Sequence, residues 1–330
     1  DFNNPYKYRI RSNTVVAVGG FLQIPAAAFN SPAQGASAFS WKGAGGEVRL
    51  FSANATGELM GYVQGWDFGP AAAGVSFGRH VISTGADHFV PQKAVTLEAA
   101  NAGPLVGPVV IGEIMYHPPD QGTNDNTLEE YVELVNLSSN TVALYEPAAP
   151  TNTWTITGGI GYVFPTNVTL APGERLVLLN FDPVAEPGKL AEFTLRHPLA
   201  GSVQRYGPYS GKLNNDQDSL ELKRPILYPS GFADATLVEK VGYHDQAPWP
   251  EGADGLGASL QRRALDQYGN DPANWLAGTP TLGAGLPAGE LPAFTVEPVS
   301  QTVLEGSNVT FTASATGSGP LQYVWRWNRQ

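Results

Sequence analysis

Apolar and polar residues alternate along most of this chain, and glycine or proline interrupts nearly every run. Residues 131–135, 219–222 and 309–312 show this period of two. The chain holds 38 glycines and 27 prolines, about a fifth of its residues, against about 12% in an average protein. Both residues end helices and form turns. Because period-two runs between turns are typical of half-buried strands, the sequence predicts an all-β fold built as β-sandwiches.

Helical periodicity is not convincing over any run of ten residues. The best candidate is 182–195, which carries Pro183 and Pro187. Proline inside a helix removes a hydrogen bond and clashes with the preceding turn. The sequence therefore predicts no long helix.

Charge and composition exclude several classes of function. The net charge is −11, and residues 109–290 carry a net −12 while residues 1–108 carry +1 and 291–330 carry none. An acidic surface repels nucleic acid and anionic membranes, so neither is an expected partner. There is no cysteine, which excludes disulfides and thiolate metal sites. The chain begins at Asp1 without a visible signal peptide, so we expect a processed start.

Five blocks of the chain recur in the same order, which predicts a duplication. The offset between the copies rises from 154 to 185, as loop insertions in the second copy would make it. The paired blocks are 10–22 with 164–176, 47–50 with 219–222, 60–62 with 241–243, 74–79 with 257–262, and 96–99 with 281–284.

The two copies differ in length. The first has no counterpart of roughly the first 50 residues of the second. We therefore expect a partial sandwich over 1–108 without its first strands, a complete one over 109–290, and the first half of an Ig-like domain over 291–330. The missing strands are expected to come from another segment or a neighbouring subunit. Trp325 or Trp327 is the expected core tryptophan of the last domain.

Several ordered motifs resemble the lamin tail domain in its bacterial form. They are Gly112-Glu113-Ile114-Met115-Tyr116, Glu130-Tyr131-Val132-Glu133-Leu134, Pro172-Gly173-Glu174-Arg175-Leu176 and Gly257-Ala258-Ser259-Leu260-Gln261-Arg262. The resemblance covers about 109–285, and residues 294–307 are similar to the opening of a bacterial Ig-like domain. Together with the duplication, the lamin-tail resemblance implies tandem Ig-like β-sandwiches in a secreted or cell-surface bacterial protein. It does not imply catalysis.

Two polar loops are candidate calcium sites. Asp120 and Asp125 lie in one, and Asp216 and Asp218 in the other. Calcium takes six to eight oxygen ligands in irregular geometry, but the same residues also form ordinary solvated turns. No other cofactor is expected. Glu113 and Glu133 are predicted to make cross-strand contacts.

Two further patterns have simple structural explanations. Residues 74–78 match the nucleophile elbow of hydrolases around Ser76, but that motif needs a strand–turn–helix context and none is predicted. The seven tryptophans could line a sugar-binding face, although such residues more often pack in a core.

The sequence therefore predicts a non-catalytic structural or adhesive module, assembled by strand pairing into a filament or surface layer. Its expected partners are second copies or neighbouring domains of a larger chain. The alternative is an accessory polymer- or carbohydrate-binding region of a secreted enzyme whose catalytic domain lies elsewhere.

Overall fold

The computed structural model describes residues 1–32, 35, 38–199, 203–228, 233–285, 293–304 and 306–316. Two compact units are present, Asp1–Gly283 and Ala284–Gln330. Almost all regular structure is strand, so the expected all-β fold is confirmed. No helix in the described ranges is both long and apolar enough to cross a membrane.

The strands are numbered in chain order. They are β1 (Gly46–Ala53), β2 (Leu59–Phe68), β3 (Phe77–Val81), β4 (Asp87–Pro91), β5 (Val109–Met115), β6 (Tyr131–Asn136), β7 (Val142–Ala143), β8 (Tyr145–Glu146), β9 (Ala149–Thr153), β10 (Thr155–Gly158), β11 (Ile160–Val163), β12 (Thr169–Leu170), β13 (Arg175–Leu179), β14 (Gln204–Tyr206), β15 (Ser210–Gly211), β16 (Gln217–Leu227), β17 (Ala233–His244), β18 (Ser259–Arg262), β19 (Trp275–Gly278), β20 (Ala293–Val296) and β21 (Ser314–Thr316). The short 3-10 helices cover Ala26–Ala28, Thr127–Glu129, Glu251–Ala253 and Pro272–Asn274.

The larger sandwich packs a six-stranded sheet against a five-stranded one. The six-stranded sheet runs β14-β13-β6-β5-β18-β19, and the five-stranded sheet runs β15-β11-β10-β16-β17. Apolar side chains from both inner faces form one core, which includes Trp154, Leu220 and Trp275. Ig-like sandwiches are built in this way, with alternate residues of each strand turned inward.

The middle of the six-stranded sheet is covered on both faces. Every residue of β5 and β6 is buried. A second apolar cluster on the outer face includes Met115, Tyr131 and Leu282. Strands that are buried on both sides need apolar residues at nearly every position, which explains the near-continuous apolar runs of β5 and β6.

One α-helix, α1 (Pro187–Arg196), corrects the prediction that 182–195 forms no helix. Pro187 lies in the first turn, where the missing N–H has no intrahelical partner to lose. Phe193 is buried in the outer apolar cluster, so tertiary packing holds the helix in place. Pro187 therefore starts the helix instead of interrupting it.

The first 108 residues form two antiparallel hairpins, β1–β2 and β3–β4. Aromatic contacts join them, with Trp66 stacked on Phe89 at 5.0 Å between ring centroids. The β3–β4 hairpin also touches the larger sandwich: the backbone N–H of Ser83 donates to Asp271 at 2.8 Å, and His88 Nδ1 lies 3.1 Å from the Tyr268 hydroxyl. These contacts fix one side of the hairpin.

The second unit contains β20 and β21, which pair antiparallel. Its large described apolar side chains are exposed, among them Phe294 and Phe311. Trp325 and Trp327, the expected core residues of an Ig-like domain, lie outside the described residues.

Candidate functional site

Two buried glutamates of β5 and β6 hold residues 281–283 against the six-stranded sheet. Glu113 and Glu133 face each other across β5 and β6, as expected. Glu113 accepts from the Tyr131 hydroxyl at 2.5 Å, the Ser259 hydroxyl at 2.6 Å and the Thr281 hydroxyl at 2.7 Å. A carboxylate buried in this way needs several donors to offset its desolvation. The sequence did not indicate that residue 281 supplies one of them.

Glu133, the cross-strand partner of Glu113, makes a similar connection. Its carboxylate pairs with Arg175 and accepts from the backbone N–H of Gly283 at 2.6 Å. Burial raises the pKa of Glu133, and the positive charge of Arg175 opposes that rise. Leu282 lies between the two attachment points and is buried on Met115 and Tyr131. Glu113 and Glu133 thus anchor residues 281–283 over the outer face of β5 and β6.

Glu130 immediately precedes β6, and its side chain is buried. One carboxylate oxygen accepts from the Tyr209 hydroxyl at 3.0 Å and the Leu213 N–H at 3.0 Å. The other oxygen has no hydrogen-bond partner among the described residues. Burial, the largest cause, raises the pKa of Glu130 to about 7.

This pKa predicts a pH-dependent stability. Because the folded-state pKa lies above the unfolded value of about 4.3, the folded chain holds a proton that the unfolded chain releases. The stabilisation is complete below the unfolded pKa and is lost as pH rises through about 7. We expect the difference in unfolding free energy between the wild type and E130Q to fall between pH 5 and 7, by at most about 1.4 kcal/mol per unit. Urea denaturation across this range measures it, and parallel profiles would contradict the assignment.

The two candidate calcium loops meet through one residue. Asp125 accepts from Lys212 at 2.7 Å and from Asn215 at 3.2 Å. Asp218 instead accepts from the N–H groups of Asn214 and Ser219, and the backbone N–H of Asp216 donates to the side-chain oxygen of Asn214. Asp120 lies 3.8 Å from His117.

In the described part of the chain, no three His, Asp or Glu side chains are grouped as metal ligands. Charged turns ordinarily contain hydrogen bonds like those of Asp125, Asp216 and Asp218. The carboxylate of Asp125 is already paired with Lys212. Calcium binding stays a prediction.

Ser76 and the five described tryptophans have local contacts that a structural role explains. Ser76 lies just before β3, and its hydroxyl is 3.5 Å from the carbonyl oxygen of Ala94. Trp154, Trp249 and Trp275 are buried in the core, whereas Trp41 is exposed beside Phe68. Core packing accounts for those three.

The two recurring segments share unusual backbone conformations at matched positions. Asn13 and Asn167 have φ of 65° and 68°, and Glu98 has φ of 57° where Gly283 has 80°. Positive φ is uncommon outside glycine. The hairpins also share register: Arg79 faces Phe89 in β3–β4, and Arg262 faces Trp275 in β18–β19. The block at 60–62 departs from this agreement, because the register of β1–β2 places Trp66 at the position of Val241.

Burial, by contrast, differs sharply between the segments. Leu97 is 68% exposed and Leu282, its counterpart, is 1% exposed; Leu22 is 43% exposed and Leu176 is fully buried. In the second segment, these positions are buried in apolar clusters to which β5 and β6 contribute. The other pairs with the same contrast are Ile10 with Phe164, Val16 with Leu170 and Ile24 with Leu178. The first segment therefore leaves these apolar positions exposed. Its residues 10–24, β3 and 95–98 are together called here the open face.

The fold is thus an all-β Ig-like sandwich joined to a segment with an open face. Residues 104–245 match the family model of the lamin tail domain, a typically non-catalytic Ig-like module. The motif-based resemblance reached about residue 285, and β18 and β19 do continue the same sheet beyond the matched range. A search of curated proteins finds no match.

One solved structure is similar, a DUF4876 family protein from Bacteroides thetaiotaomicron. It has a TM-score of 0.38 and 12% sequence identity, over 69% of this chain and 91% of that one.

Proposed function

We propose that this chain is a non-catalytic structural module of a bacterial extracellular or cell-surface protein, and that it associates with other protein by strand pairing at the open face. The observation that carries the proposal is the contrast in burial between Leu97 and Leu282. Contiguous exposed apolar surface marks interaction sites, and an unpaired strand edge recruits a further strand through its N–H and C=O groups.

The proposal includes a duplication in which the first copy lacks the counterparts of β5 and β6. The matched φ values at Asn13 and Asn167 and the matched hairpin registers support it. The location outside the cell is supported by the resemblance of residues 294–307 to bacterial Ig-like modules. Joined end to end, such modules would form a filament or surface layer.

Charged substitutions on the open face are expected to prevent association. The wild-type chain should form larger species as its concentration rises, whereas the double variant Leu22→Asp, Leu97→Asp should remain monomeric, because burying two carboxylates without partners is unfavourable. Sedimentation velocity measures both. Leu195→Asp is the control, since Leu195 is an exposed leucine (84%) that lies on α1, outside the open face.

Hydrogen exchange provides the second measurement. In the monomer, amides of 21–25 and 77–81 should exchange faster than those of β13 and β18, because local protection follows burial and pairing. Slow exchange of 21–25 in a monomeric sample would show that the first segment closes by itself, and would contradict the proposal.

A further inference from the structure

A cavity of about 370 Å³ lies at one end of the larger sandwich, a volume within the range of small-molecule sites. Its walls come from residues 105–108 just before β5, 137–138 just after β6 and 236–238 in β17, and the segment between β2 and β3 closes over it. Leu105, in the wall, is 40% exposed, so the cavity can be reached from solvent.

Backbone and side-chain hydrogen bonds hold the walls in place. The Thr236 hydroxyl donates to the carbonyl oxygen of Pro70 at 2.8 Å. The backbone N–H of Leu105 donates to the carbonyl oxygen of Pro91, also at 2.8 Å. The cavity therefore forms without rearrangement of the backbone around it.

Arg224 is the one charged residue among those that line the cavity. On β16 it continues the row of Leu220 and Leu222, which lie in the core, because alternate residues of a strand share a face. Arg224 also lies directly opposite Thr236, whose hydroxyl is turned toward the segment that closes the cavity. Residues directly opposite in an antiparallel pair share a face, so the arginine side chain is on the cavity side of the sheet.

No acidic side chain pairs with this arginine. Arg224 is half-buried, and its side chain makes no ion pair or hydrogen bond with the residues that the structure describes. Asp234, two residues before Thr236 on the partner strand, accepts from the backbone N–H of Ala235 at 2.8 Å. Charged groups removed from water are normally paired, so a guanidinium at this place is complementary to an anion.

We propose that this cavity binds a monocarboxylate with a compact apolar body, and that Arg224 receives the carboxylate. This goes beyond the proposed function, because it gives the structural module a site for a small ligand. The guanidinium fork matches the two oxygens of a carboxylate, and the apolar body packs on Val106, Phe77 and Leu237 in the walls. One water takes about 30 Å³ of liquid volume, so the cavity has room for about ten non-hydrogen atoms.

The rest of the lining favours a single negative charge. The two hydroxyls in the walls already donate, Ser138 to Asn136 at 2.8 Å and Thr236 to Pro70. Arg224 is thus the side chain left to neutralise a ligand. A dianion would keep one charge without a partner beside apolar walls, which is unfavourable.

The test titrates the full chain with octanoate and octanamide, which have the same shape and ten non-hydrogen atoms each. By calorimetry, octanoate should bind at least about 10-fold more tightly, as expected for a hydrogen bond to a charged group. Arg224→Met should remove this preference by weakening octanoate alone. Arg205→Met is the matched control, since Arg205 is also a half-buried strand arginine without an ion pair in the described ranges, but lies outside the cavity.

Two further variants keep the test decisive if Arg224→Met does not fold. Arg224→Lys keeps the charge and should retain the preference for octanoate. Ala72→Leu narrows the cavity and should weaken both ligands. Equal affinity for octanoate and octanamide in the wild type, or no binding of octanoate at millimolar concentration together with none of N-acetyl-leucine, would overturn the proposal.

N-acetyl-leucine and its amide distinguish the source of the carboxylate. Tighter binding of N-acetyl-leucine than of octanoate, with the same loss in Arg224→Met, would assign the site to the C-terminus of a peptide, whereas the reverse order would assign it to a free acid. Leu22 and Leu97 do not line the cavity. The double variant that blocks association should therefore bind octanoate as the wild type does, so that failure of this site and failure of self-association are separate results.

Discussion

Arg262→Ala is expected to lower the free energy of unfolding by about 3–5 kcal/mol, because it leaves a buried charge without its partner. Arg262 Nη1 lies 2.5 Å from Glu239 and also donates to the Ile111 carbonyl at 3.2 Å. Glu239 in turn accepts from the Ile111 N–H at 2.5 Å. Burial raises the pKa of Glu239, and the positive charge of Arg262 opposes that rise; the variant loses this opposing charge. Urea denaturation with circular dichroism measures the loss.

Arg79→Ala is the matched control for this prediction. Arg79 is the counterpart of Arg262, but it is half exposed and pairs with Asp87 at 2.8 Å on the surface. Such a pair contributes about 0–1 kcal/mol. Comparable losses in the two variants would show that Arg79 is also buried in solution, which the open face does not allow.

Leu282→Ala is expected to cost about 2–5 kcal/mol, the range for a fully buried leucine. The side chain fills the outer cluster with Met115, Tyr131 and Phe193. Truncation leaves a cavity there, between the hydrogen bonds that Glu113 and Glu133 make to residues 281 and 283. Because those bonds hold the backbone in place, the site cannot easily collapse.

Leu97→Ala, the counterpart substitution, should change stability by no more than about 0.5 kcal/mol in the isolated monomer, as is usual at the surface. Denaturation of both variants on the same instrument provides the comparison. A large loss for Leu97→Ala would mean that Leu97 is buried within the first segment of the monomer. The open face would then not exist at this position.

The pattern of residues along the chain predicted part of the secondary structure correctly. Alternation predicted strands at residues 131–135 and 219–222, which lie in β6 and β16. The same pattern predicted a strand at 309–312, where the structure has none, and β6 is buried on both faces instead of being half-buried. The pairing of Glu113 with Glu133 across two strands was expected from the same pattern. Helix α1 was missed, since Pro187 was treated as a break when it occupies the first turn, and Phe193 is buried in a cluster whose other members lie elsewhere in the chain.

The candidate site was only partly visible in the sequence. The recurring blocks indicated that counterparts of β5 and β6 were lacking in the first segment. They did not indicate that Ser259, Thr281 and Gly283 receive the two glutamates, because those contacts join residues about 150 positions apart. For the same reason, the calcium candidates could be placed in turns but not related to Lys212.

The amino-acid sequence by itself indicated the all-β class, the positions of many turns and the recurrence of blocks. Strand and turn patterns depend on residues near one another in the chain, and the recurrence is visible by comparing one stretch of sequence with another. Only the tertiary structure decided which of two similar leucines is buried and which is exposed. Burial depends on the strands that lie alongside, and identical local patterns carry no information about whether a neighbouring strand is present.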